Sequence, residues 1–296
     1  MGQLNVPVNE FIGFTRDFQD AKISMERIGE VHVHDEEEPH LSSAEWPTSA
    51  AGSLRVQGLS FHYEGPRSPK VLDSVDLTIP KGKVTAIVGA SGSGKTTLLK
   101  LLVKFYQPSE GRIQLGGEDL QHVSTRQWRK RCGTVMQDGF IFSDTIARNI
   151  ALSAENIDMA KLLHAARIAC IDQFIDSLPL RYNMKLGANG TGLSQGQKQR
   201  MLIARAVYKD PEFIFMDEAT SSLDANNERA ILQHLDTFFQ NRTVLVIAHR
   251  LSTVRNADQI VVLDKGKIVE MGKHDDLTKA RGHYYDLVKN QLELGA

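Results

Sequence analysis

The stretch VTAIVGASGSGKTTLLKLLVKF, residues 84–105, constrains the fold more than any other part of the chain. A short apolar run leads straight into a glycine-rich turn, and a helix-forming run follows without a break. Glycine lets backbone N–H groups converge on an anion with no Cβ in the way. A helix N-terminus adds positive potential at the same point. Gly89, Gly94, Lys95 and Thr96 satisfy the spacing of a P-loop, and the strand before and helix after are the context such a loop needs. The loop residues Gly89, Ala90, Ser91, Gly92, Ser93, Gly94, Lys95, Thr96 and Thr97 are therefore expected to wrap a nucleotide's phosphates. Lys95 is expected to reach the β- and γ-phosphates, and Thr96 to coordinate Mg²⁺.

The rest of the chain supplies a sheet for that loop. Short, continuously apolar runs recur at VTAIVG (84–89), GTVM (133–136), FIFMDE (213–218) and TVLVIAH (243–249). Runs apolar on both faces predict central strands of a parallel sheet covered by helices on both sides. Before them, LRVQGLSFHY alternates through Leu54, Val56, Leu59, Phe61 and Tyr63, as a half-buried antiparallel strand does. VLDSVDLTIP and RIQLGG extend that second sheet. Residues 144–208 interrupt the alternation with a mostly helical insert. IVVLDKGKIVEMG reads as a hairpin turning at Asp264-Lys265-Gly266, and a final helix is expected over about 275–291.

Residues 9–28 carry Phe11, Phe14, Phe18, Ala21, Met25 and Ile28 at steps of three and four, which puts one apolar stripe on one helix face. The stripe fits a helix packed on its own core or one that needs a partner. Residues 31–53 are acidic and then rich in Ser, Ala and Pro, the composition of a linker. Its histidines, His32, His34 and His40, lack an expected fold to organise them as metal ligands.

Composition narrows the function classes. The formal net charge of -1 and pI of about 6.8 give no broad basic face for nucleic acid. Cys132 and Cys170 stand far apart, which argues for a reducing compartment and against a disulfide framework. No apolar run approaches the ~20 residues that a membrane helix needs. The first residues, MGQLNVPVNEF, have neither the basic nor the apolar region of a signal peptide.

Other strand ends point toward the phosphate loop. Asp217 and Glu218 close the run PEFIFMDEAT, at the carboxyl end of a parallel strand, where such folds bind ligands. Asp217 is expected to hold Mg²⁺, and Glu218 to polarise the attacking water as general base. Gln137 follows GTVM and offers an amide to Mg²⁺ and water; His249 follows TVLVIA and offers an imidazole to the γ-phosphate. Tyr63, beside Glu64-Gly65-Pro66, stands where an aromatic ring can stack on adenine.

With these residues placed, the chain from about Leu54 onward resembles the nucleotide-binding domain of ATP-binding cassette (ABC) transporters. LSQGQ, residues 193–197, is similar to the family's signature motif, commonly LSGGQ. The resemblance implies an α/β P-loop NTPase fold with a parallel core sheet, an antiparallel β subdomain and an inserted helical subdomain. It implies that Tyr63 stacks on adenine, that Gln137 is the Q-loop glutamine, that Asp224 belongs to the D-loop, and that His249 is the switch histidine. It also implies a head-to-tail homodimer, in which Ser194, Gln195, Gly196 and Gln197 cover the ATP held by the P-loop of a second copy. Residues 1–30 look like the cytoplasmic end of an exporter's last transmembrane helix, most like exporters of peptides and bacteriocins. The expected protein is thus the Mg²⁺-dependent ATPase part of a half-transporter, working at the cytoplasmic side of the plasma membrane beside a membrane domain; neither that domain nor the peptidase domain that some such exporters carry is in this sequence.

Two positions depart from the family pattern. Gln195 replaces the signature's second glycine, and Ala188 stands where exporters often carry Glu. Ser194 suits a helix N-cap, so Gln195 falls in the first turn, where positive φ is not required. Its amide is then free to reach nucleotide or P-loop across the dimer. A nucleotide-gated interaction module with negligible turnover is the competing reading, against which Glu218 and His249 count. An ATPase of DNA repair would need a longer insert than residues 144–208 and a basic face.

Overall fold

Strand β3 (Val84–Val88) is buried on both sides, and the reason lies in its neighbours. It pairs in parallel with β8 (Thr243–Ile247) on one side and with β9 (Gln259–Asp264) on the other. Beyond β8 come β7 (Phe213–Asp217) and then β6 (Cys132–Val135), again parallel. Strand β10 (Lys267–Gly272) closes the opposite edge as the antiparallel arm of a hairpin, giving a six-stranded sheet of order β10-β9-β3-β8-β7-β6. The hairpin turns on two residues, Lys265 and Gly266, both at positive φ, which suits the twist of the flanking strands.

The computed structural model describes residues 5–33, 52–65, 68–152, 154–219, 225–248 and 254–294. The chain divides into two compact units, Met1–Ser43 and Ala44–Ala296.

Within the second unit, alternate residues of the core strands face different cores. Ala86, Ile214, Met216, Val244, Val246, Ile260 and Val262 pack into one cluster with the helical segment. Ile87, Phe213, Phe215, Leu245, Ile247, Val261 and Leu263 pack into the other, with the antiparallel sheet and the helix after the P-loop. This two-sided burial is why the runs lack the alternation of a half-exposed strand. The antiparallel sheet has the order β2-β1-β4-β5. Its strands are β1 (Leu54–Phe61), β2 (Leu72–Ile79), β4 (Glu110–Leu115) and the short β5 (Glu118–Asp119). Strand β1 ends at Phe61, so Tyr63 lies beyond the strand rather than at its end.

Helix α2 (Lys95–Leu102) follows the P-loop, and α3 (Thr125–Arg131), which periodicity in the sequence did not single out, precedes β6. Trp128 of α3 is fully buried and donates from Nε1 to the carbonyl of Leu102 at 2.9 Å. Its ring meets Phe213 at a tilt, with centroids 4.8 Å apart, and so links α2, α3 and the core sheet. The insert contains α4 (Ile146–Ile150), α5 (Met159–Ile168), α6 (Asp172–Asp176) and the long α7 (Gln195–Tyr208). Helix α8 (Ala225–Phe239) precedes β8. The single helix expected over 275–291 is two, His274–Ala280 and His283–Leu294, broken where Arg281 takes a φ of 55°. Non-glycine residues avoid that region inside a helix, so the chain turns there.

In the first unit, helix α1 (Asn5–Val33) outruns the expected span at both ends and continues into the segment read as linker. Phe11, Phe14, Phe18, Met25 and Ile28 of its stripe are exposed. Among the described residues, no helix is long and apolar enough to cross a membrane.

Trp128→Ala removes a buried ring and leaves the Leu102 carbonyl without that donor. The expected loss is about 3–5 kcal/mol of stability, read from the midpoint of urea unfolding.

Candidate functional site

Parallel strands place their carboxyl ends on one edge of the sheet. Register puts Val88 of β3 beside Val262, Asp217 of β7 beside Ile247, and Val135 of β6 beside Met216. Gly89, Glu218 and Gln137, which come just after these strands, therefore leave the sheet at the same edge. His249 and Asp224 lie outside the described residues.

The loop after β3 is shaped by close backbone contacts. Gly89 has a φ of 154°, and a Cβ there would run into the Leu263 carbonyl of β9. Gly94 has a φ of 101°, and a Cβ would meet Leu72 Cδ2 at 2.8 Å and the Val71 carbonyl at 3.0 Å. A side chain at 89 would force the loop away from β9, and at 94 the positive φ would strain any L side chain crowded against the Val71 carbonyl. The β9–β10 turn supports the loop from outside, with Gly266 N–H donating to the Ser93 carbonyl at 3.0 Å.

Lys95, at the start of α2, curls back over the loop. Its Nζ donates to the carbonyls of Gly89 at 2.9 Å and Ala90 at 2.8 Å. Burial pushes its pKa below the usual lysine value, while the carboxylates of Glu218 and Asp217 act against that shift. Thr96 Oγ1 donates to Asp217 Oδ2 at 2.8 Å, across 121 residues of chain. The P-loop and the carboxylate at the end of β7 are thus in direct contact. Asp217 is buried and Glu218, next to it, is half-buried.

Tyr63 is exposed on one side of this loop. Its hydroxyl is 2.9 Å from Thr97 Oγ1, and its ring meets Tyr106 edge to face at 5.4 Å. Gln137 is exposed two residues past β6. The loop after Gln137 is held from below by Asn149, which is fully buried. Asn149 Oδ1 accepts from Phe142 N–H at 2.8 Å, and its Nδ2 donates to the Phe142 carbonyl at 3.0 Å. Arg205 of α7 reaches the same loop, donating to the carbonyls of Asn149 at 2.8 Å and Phe140 at 2.9 Å. Neither Asn149 nor Arg205 stood out in the sequence: Asn149 bonds a loop a few residues before it that has no regular period, and Arg205 acts through contacts distant along the chain.

The tip of α7 is a capping box. Ser194 Oγ accepts from Gln197 N–H at 3.2 Å, and Gln197 Oε1 accepts from Ser194 N–H at 2.8 Å. The Ser-x-x-Gln spacing carries that signal in the sequence. Gln195 is the first helical residue, so its position asks for no positive φ, as the N-cap reading of Ser194 implied. The Gln195 side chain is exposed, whereas Gln197 is committed to the cap through its carbonyl oxygen. Ala188 lies in an exposed 3-10 turn, in which Asn189 has a φ of 54°.

The donor set fits a phosphate–Mg²⁺ ligand. Ser93 Oγ is buried with no hydrogen-bond partner among the described residues, inside the glycine-rich loop. Thr96 and Asp217 offer hard oxygens, and no group of three or more His, Cys, Asp or Glu among the described residues forms a closed metal cage. A site with few protein oxygens suits Mg²⁺, which keeps waters and phosphate oxygens in its shell.

The chain is similar to known proteins. The sequence pattern of the family described as ABC transporter matches residues 72–221. The leukotoxin export ATP-binding protein LtxB of Aggregatibacter actinomycetemcomitans is 41% identical over 293 residues, covering 99% of this chain and 41% of that protein. The leukotoxin translocation ATP-binding protein LktB of Mannheimia glucosida is likewise 41% identical, with the same coverage of 99% and 41%. The chain thus spans about two fifths of the length of these curated relatives, which it covers to 41%. Among solved structures, a bacterial Atm1-family ABC exporter with ATP bound superposes with a TM-score of 0.84 at 36% identity, covering 98% of this chain and 51% of that one.

Ser194→Ala breaks the capping box. The expected cost is about 1 kcal/mol, seen as a lower midpoint in thermal unfolding with the fold otherwise intact.

Proposed function

Because the chain belongs to the ABC transporter family, we propose that it binds and hydrolyses ATP with Mg²⁺ to power export, and that its cargo is a polypeptide. The observation that carries this reading is the 2.8 Å contact of Thr96 with Asp217, which joins phosphate loop and carboxylate edge with Glu218 adjacent. Relatives whose names state leukotoxin export support the cargo class.

In this reading, the backbone N–H groups from Gly89 to Thr97 receive the phosphates, and Lys95 exchanges its loop carbonyls for phosphate oxygens. Tyr63 offers its exposed ring to adenine. Thr96, Asp217 and Gln137 would hold Mg²⁺, which neutralises charge on the phosphates when bound. Glu218 would take the proton of the attacking water, and His249 would donate to the γ-phosphate.

The tip of α7 would complete the site of a second copy. The Ser194 hydroxyl, the first N–H groups of the helix and the helix dipole together suit a γ-phosphate. Two copies packed head to tail would then share two ATP molecules, and loss of the γ-phosphate would remove the bridge between them. Helix α1, with its exposed Phe11, Phe14 and Phe18, is read as continuing from a transmembrane domain. That partner would place the chain on the cytoplasmic face of a membrane.

Glu218→Gln keeps the shape of the site and removes the base. We expect phosphate release to fall at least ~100-fold, with ATP binding retained and an ATP-dependent dimer accumulating in size-exclusion chromatography. Undiminished turnover would remove Glu218 from the mechanism, and a parent chain that binds ATP but releases no phosphate would favour a nucleotide-gated module instead. Gln195→Gly tests the dimer geometry separately: losing one hydrogen bond across the interface should raise the ATP concentration for half-maximal rate about two- to tenfold.

A further inference from the structure

Glu218 has an unusual backbone. Its φ is 49°, in the left-handed region that non-glycine residues seldom occupy. A conformation of that kind persists only where the surroundings hold it. Here both of its backbone polar groups are engaged. Its N–H donates to the carbonyl of Ile247, the last residue of β8, at 3.2 Å. Its carbonyl accepts from Gln199 Nε2 at 2.6 Å.

Gln199 is itself out of place by composition. It is 6% exposed and lies on α7 next to a run of buried apolar residues, Met201, Leu202, Ile203 and Ala204. A buried amide costs free energy unless it is bonded, and an apolar side chain of the same size would pack there without that cost. The hydrogen bond to Glu218 is a reason for the amide to be present. Gln199 lies five residues beyond the Ser194 cap, about 7.5 Å along the helix axis. The same rigid helix therefore carries both the Ser194 tip and the group that grips Glu218.

We propose that Gln199 is a positioning residue for ATP hydrolysis: from α7 it clamps the Glu218 carbonyl, fixes the left-handed backbone there, and so aims the Glu218 carboxylate. The proposal rests on the reading of Glu218 as general base. Gln199 touches no nucleotide in this scheme. It is proposed to act through the backbone of residue 218, so it should change turnover and leave ATP binding alone.

The test is steady-state hydrolysis of MgATP by the full chain, with ATP binding measured in parallel. Gln199→Met keeps the volume and removes the donor; kcat should fall about tenfold, with KM and ATP affinity within about twofold of the parent. Gln199→His, which restores an N–H donor, should recover part of the loss and serves also if the methionine variant folds poorly. In a Glu218→Asp background, whose shorter carboxylate no longer sits where the clamp aims it, Gln199→Met should cost much less than in the parent. A kcat within about twofold of the parent in Gln199→Met, a loss carried by KM, or an equal loss in both backgrounds would overturn the proposal. Full turnover in Glu218→Gln would instead overturn the assignment of the base, and that result involves no change at Gln199.

Discussion

Parallel pairing of β3 with β8 and β9, and of β8 with β7, is the constraint on which the candidate site depends. Parallel strands release their succeeding loops at one common edge of the sheet, however far apart the strands are in sequence. That is how Thr96 comes to hydrogen-bond Asp217 across 121 residues. Pairing needs burial on both faces, and the two clusters that alternate along each strand supply it. Apolar packing thus positions groups that are themselves polar and charged.

The second architectural element is α7. At one end it presents the Ser194–Gln197 capping box, farther along it reaches Glu218 through Gln199, and near its other end Arg205 holds the loop after Gln137. Burial pushes the Arg205 pKa below its usual value, yet the guanidinium stays useful because backbone carbonyls surround it. One helix therefore touches the segments that succeed both β6 and β7. This makes α7 a rigid connection between the sheet edge and the helical insert, rather than a cover over it.

Much of this is legible in the amino-acid order. The P-loop, the apolar strand runs, the Asp217-Glu218 pair and the β9–β10 turn each leave local signals, since each depends on neighbours a few residues away. The Ser194 N-cap is local as well. The misses are of two kinds. The partners of Trp128, Gln199 and Arg205 are set by segments distant in the chain, whereas the Ser124 cap of α3, the Gly282 after Arg281 and the Asn149–Phe142 bonds are local but carry no apolar period.

By itself, the sequence determined the fold class and the chemistry that the chain offers, because glycine spacing, apolar periodicity and residue type are local properties. Tertiary structure alone decided which of those groups meet. The contact of Thr96 with Asp217, the left-handed backbone of Glu218 and its hold by Gln199 exist only once parallel strands and α7 are packed, since a hydrogen bond of under 3 Å needs both partners in place, and these lie 121 and 19 residues apart on different elements.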